Sequence, residues 1–81
     1  MMTEVRVPLD LWAEDDTVDG RAESIVWLFP DGAAVIEGEL IAEILVEKAT
    51  LELYAPASGT LRIGVEAEAA VDRGQLVASI A

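Results

Sequence analysis

Apolar and polar residues alternate with a period of two over most of the chain, which is the pattern of half-buried strands. Leu40, Ala42, Ile44 and Val46 fall on one face of a segment whose other face carries Ile41, Glu43, Leu45 and Glu47. After a break, Leu51, Leu53 and Ala55 share a face, and Thr50, Glu52 and Tyr54 share the opposite one. The pattern predicts strands near 4–7, 24–28, 34–36, 40–46, 49–54, 60–64, 70–72 and 75–80. Turn-forming residues separate them: Pro30-Asp31-Gly32, Ile36-Glu37-Gly38, Pro56-Ala57-Ser58-Gly59 and Asp72-Arg73-Gly74.

The strands come in two related sets. Residues 32–44 align with 68–80 at a constant offset of 36, and seven of the thirteen pairs are identical, including Val35/Val71, Gly38/Gly74, Leu40/Leu76, Ala42/Ala78 and Ile44/Ile80. Ile25-Val26-Trp27 aligns with Leu61-Arg62-Ile63 at the same offset, and Pro8 and Pro56 precede these segments at unequal spacing. A unit this short cannot bury its own apolar face, so two copies about a pseudo-two-fold axis are expected to share one core. The repeat also decides an ambiguity. Residues 65–71 have helix-forming composition but align with Phe29–Val35, which contains a turn, so no helix is expected. Only the first copy carries the segment Leu9–Ser24, with Trp12 and the acidic run Glu14-Asp15-Asp16, read as an inserted surface loop. Trp12 is expected to plug back onto the body, and Trp27 to be a core residue.

The alternation also sets the register of one hairpin. With Val46 and Ala49 flanking a two-residue loop, Ile44 meets Leu51 and Ala42 meets Leu53 on the core face. Glu47 and Lys48 are then the loop, and a type I turn is expected because neither residue favours positive φ. Lys48 is the only lysine in the chain. An amine-modifying enzyme therefore has Lys48 and the N-terminus to choose between. Taken alone, a lysine at a turn is an ordinary solvated side chain.

Composition narrows the rest. In 81 residues there is room for one domain, spanning 1–81, with sixteen acidic residues against five basic ones and a formal charge of −11. That charge disfavours nucleic acid and anionic membrane surfaces, and favours a partner with a basic face. The chain has no cysteine and no histidine, so disulfides, thiolate metal sites and the usual proton shuttle are excluded. No catalytic constellation is visible. Met1-Met2-Thr3-Glu4 lacks the basic and apolar runs of a signal peptide, and no apolar stretch approaches the roughly 20 residues of a membrane span. A cytoplasmic setting is the expectation.

Beyond these patterns, the chain resembles the biotinyl/lipoyl attachment domains, and is most similar to the lipoyl domain of 2-oxo acid dehydrogenase acyltransferases. The resemblance rests on Trp27–Gly32, Val35–Ile44, Glu47-Lys48-Ala49-Thr50, Tyr54–Gly59 and Gly74–Ile80. It implies an all-β flattened barrel of two four-stranded antiparallel sheets with pseudo-two-fold symmetry. It also implies a modified lysine at Lys48 between an acidic residue and alanine, here Glu47 and Ala49. Biotinyl domains carry methionine on both sides of the lysine, so the flanks favour lipoate over biotin. Two positions depart from the family pattern: Leu45 stands where many lipoyl domains have glutamate, and Glu68 replaces the second turn glycine.

The implied function is that of a non-catalytic carrier, with lipoate joined to Lys48 and acyl groups and reducing equivalents moved on a swinging arm. Its implied partners are a lipoyl-attaching enzyme and decarboxylase, acyltransferase and dihydrolipoyl dehydrogenase components, with the isolated domain a monomer. The Leu9–Ser24 loop is the candidate surface for partner recognition. A biotinyl carrier and an unmodified interaction module are the alternatives, the latter suggested by Leu45 and Glu68.

Overall fold

A computed structural model describes residues 2–13, 17, 20–47 and 49–81. Seven strands form: β1 (Thr3–Arg6), β2 (Ser24–Trp27), β3 (Ala34–Val35), β4 (Leu40–Val46), β5 (Ala49–Tyr54), β6 (Gly59–Ile63) and β7 (Leu76–Ile80). One sheet has the order β1-β7-β6-β3 and the other β2-β4-β5, with every pairing antiparallel. There is no helix among the described residues. The chain is an all-β flattened sandwich.

The second sheet has three strands where four were expected. The strand expected near 70–72 is reduced to a single bridge, Val71 with Ala22. It lies between Glu68, which takes a positive φ of 70°, and the Asp72–Gly74 turn. The segment still runs beside β2, because Ile25 donates its N–H to the Ala69 carbonyl (3.1 Å) and accepts one from Glu68 (2.7 Å).

The repeat is expressed bond by bond. Gly32 N–H donates to the Leu61 carbonyl (2.7 Å) as Glu68 N–H does to Ile25. Leu28 donates to Ile41 (2.9 Å) as Gly64 does to Val77 (2.9 Å). The Glu39 carboxylate accepts from the Ile36 N–H (3.0 Å), and the Gln75 side-chain oxygen accepts from Asp72 (2.8 Å). β5 corresponds to β1 through the aligned prolines: Gly38 donates to Ala55 (2.8 Å) and Gly74 to Val7 (2.7 Å). The halves exchange their short strands, since β3 pairs with β6 of the second half and Val71 sits beside the first half.

The core repeats in the same way. Ile25 and Leu61, Val35 and Val71, Ile41 and Val77, Ala42 and Ala78, Ile44 and Ile80, Val5 and Leu53, and Val7 and Ala55 are all buried. Among the described buried hydrophobic residues, only Trp12, Ala22 and Val46 stand outside this pairing.

Ile41 corrects the simple alternation, which placed it outward beside Leu45. It is fully buried, because Leu40 pairs with Tyr54 and Ala42 with Leu53, leaving Ile41 as the extra residue of a bulge. Val77 is the extra residue at the equivalent place, between Leu76 paired with Arg6 and Ala78 paired with Val5. A bulge lets two successive side chains turn inward, so Ile41 and Ala42 enter the core together and Leu40 is displaced toward the surface. Leu76 is displaced in the same way and is 45% exposed.

Candidate functional site

The β4–β5 hairpin has the register that the alternation predicts: Val46 pairs with Ala49, Ile44 with Leu51 and Ala42 with Leu53. Two residues therefore connect the strands. Val46 is the last buried residue before the turn, and Glu47, Ala49 and Thr50 are exposed. Lys48, and with it the expected type I geometry, lies outside the described residues.

The base of the turn is braced from one side. The Glu23 N–H donates to the Leu45 carbonyl (2.8 Å), extending the ladder in which Ser24 faces Leu45. Leu45 is half-buried, and with Ile41 inside the core it forms no apolar patch with that residue. Leu45 aligns with Ala81 at the 36-residue offset, so the two-fold relates the base of the hairpin to the paired β1 and β7 ends, Thr3 with Ile80.

The Leu9–Ser24 segment is more than a surface loop. Trp12 is 4% exposed and donates its indole N–H to the Gly20 carbonyl (3.1 Å), so it plugs the loop as expected. Thr17 and Ala22 are also buried, and Leu11 packs against the core. Arg73 donates to the Trp12 carbonyl (3.1 Å) and Arg21 pairs with Asp72 (3.1 Å), which ties the segment to the turn before β7. The exposed Arg21–Asp72 pair adds little stability by itself. Neither link was visible in the sequence, because an arginine at a turn carries no signal of its partner. The acidic run Glu14-Asp15-Asp16 lies outside the described residues. Trp27 is half-buried, donates its indole N–H to the Val65 carbonyl (2.9 Å) and packs against the core, so it belongs to the body.

Two acidic residues meet on the outer face of the β2-β4-β5 sheet. Glu43 and Glu52 are direct cross-strand neighbours, an arrangement that costs stability. The Tyr54 hydroxyl donates to the Glu52 carboxylate, and this bond, assisted by slight desolvation and the carboxylate's charge, raises the tyrosine pKa above its ordinary value. No group of three or more potential metal ligands occurs among the described residues, and no helix there is long and apolar enough to cross a membrane.

Comparison with known families supplies what geometry alone does not. A family model for biotin/lipoyl domains, described as biotin-requiring enzyme, matches residues 16–80. The chain belongs to the biotin/lipoyl attachment family. No curated protein matches the chain. Domains of this family are carriers and are not themselves catalytic. They hold lipoate or biotin covalently on a lysine and work with the partner enzymes of multienzyme complexes.

Proposed function

We propose that this carrier domain is a lipoyl domain, modified at Lys48 and serving a 2-oxo acid dehydrogenase-type complex in the cytoplasm. The observation that carries the proposal is the two-residue connection between Val46 and Ala49, within which the only lysine of the chain falls. A group tethered through an amide needs no built pocket; it needs chain on both sides of the attachment residue open to the attaching enzyme. Exposed Glu47 and Ala49 meet that need. Their identities support lipoate, since a biotinyl domain resembling the family pattern would carry methionine at both places.

The chain's own residues contribute position and stiffness. Val46 locks the base of the turn into the core, the Glu23–Leu45 bond holds its flank, and a two-residue loop leaves no slack below the attachment point. The prosthetic group would hang from the Lys48 side chain as a tether. Such a tether raises the effective concentration of its cargo at each partner's site, to the millimolar order for short linkers. Lipoate, when bound, supplies a dithiolane that takes up and releases acyl groups and electrons. Forming the amide also removes the positive charge of Lys48 from a tip flanked by Glu47.

Intact-mass measurement after co-expression with a lipoate-attaching or a biotin-attaching enzyme tests the reading. A single lipoyl addition that Lys48→Arg abolishes is the expected result. Biotin addition alone would assign the domain to carboxyl transfer, and an unchanged mass with both enzymes would leave it an unmodified module.

A further inference from the structure

β1 and β5 each lie at an end of their sheet, and among the described residues neither has a strand on its outer edge. Backbone bonds show which groups that edge exposes. Val7 donates to Gln75 and accepts from Gly74, while Ala55 donates to Glu39 and accepts from Gly38, so both turn their peptide groups toward their own sheet. By antiparallel alternation, Arg6 and Glu4 on β1, and Tyr54 and Glu52 on β5, turn theirs outward into the seam between the strands. That seam is a groove of about 680 Å³. Val5, Leu53 and Leu11 give it an apolar floor, and Glu4, Asp10 and Glu52 give it an acidic rim. Arg6 is the basic residue of the groove, and it is engaged by the Glu4 carboxylate (3.2 Å) and the Gly74 carbonyl (3.2 Å).

We infer that this seam docks an extended segment of a partner protein with lysine or arginine at alternate positions, added as a strand on the open edge of β5. Strand addition gains affinity from main-chain hydrogen bonds and specificity from alternate side chains. β5 is the longer edge, six residues against four in β1. Aliphatic residues on one face of the incoming strand would cover the groove floor, while cations on the other would meet Glu52 and its acidic neighbours. A second copy of this chain is a poor occupant, because it would bring one charge of −11 against another. Glu47 and Ala49 do not line the groove, so the occupant pairs along β5 without covering the turn residue Glu47. The seam would act as a handle separate from the arm, and its docking does not depend on whether Lys48 is modified.

The test is an amide NMR titration of the unmodified full chain with a short peptide alternating lysine and valine, and with its glutamate–valine counterpart. The lysine peptide alone should shift and protect the amides of Thr50, Glu52 and Tyr54. Glu52→Lys should weaken binding about tenfold, whereas Glu66→Lys, away from the groove, should change it less than about twofold. Three outcomes overturn the inference. The β5 amides are unperturbed; or shifts spread over the acidic surface, with both charge reversals weakening binding equally; or sedimentation shows self-association through β5, making a second copy the occupant.

Discussion

Glu68 takes the place that Gly32 fills in the first half, and both adopt positive φ, 70° and 91°. The bond from Glu68 to the Ile25 carbonyl, matching that from Gly32 to Leu61, requires this conformation, and glutamate adopts it at a cost of roughly 1–2 kcal/mol. Glu68→Gly removes that strain but increases the freedom of the unfolded chain. A net gain of roughly 0.5–1 kcal/mol in urea unfolding is expected. Gly59 is the opposite case. At φ 154° it pairs with Val35, and a Cβ there would collide with the Ala81 backbone and the Ile80 side chain. Gly59→Ala should therefore cost roughly 2–4 kcal/mol, read from the same unfolding curves. Tyr54 offers a titration test. Its folded pKa is raised because the hydroxyl must stay protonated to donate to Glu52, so this contact is fully present below the ordinary tyrosine pKa of 10.0 and lost as pH rises through the folded value. Ultraviolet titration should show late phenolate formation, and Glu52→Gln should bring it earlier.

At the scale of the element, the paired bulges explain why a simple period of two misassigns Ile41. Strict alternation treats β4 as a regular strand, whereas the extra residue turns Ile41 and Ala42 inward in succession, as it does Val77 and Ala78. The sequence did hold a trace of this, since an apolar residue occupies both bulge positions at the 36-residue offset. Ile41→Ala should cost roughly 2–5 kcal/mol in chemical denaturation, the range for a truncated core side chain. A loss under about 0.5 kcal/mol would instead mark the position as surface. The Leu9–Ser24 segment follows a different logic, because it has no counterpart in the second half. Trp12 anchors it by burial, and one arginine at each of two places ties it to the Asp72–Gly74 turn.

For the molecule as a whole, the exchange of short strands means that neither half owns its full set of partners. Among the described residues β3 finds its only strand partner in β6, and Val71 bridges to Ala22 across the repeat. A fragment ending after Pro56 retains β1 to β5 but loses the β7 that pairs β1 and the β6 that pairs β3. Circular dichroism of residues 1–56 should show no cooperative thermal transition, in contrast to the full chain. The net charge of −11 acts over the same scale, through self-repulsion of the folded state. Moderate salt should raise the melting temperature by screening it.

The sequence alone determined seven of the eight strands it predicted, the duplicated unit, the hairpin register and the solitary lysine, because each is written in local periodicity, turn residues or a simple count. Only the tertiary structure decided which strands meet across the repeat, that Ile41 and Val77 turn inward, that Arg21 and Arg73 hold the loop, and that an acidic seam stays open between β1 and β5. Those features depend on contacts between residues far apart in the chain. A backbone edge left without a neighbour has no residue type of its own to announce it.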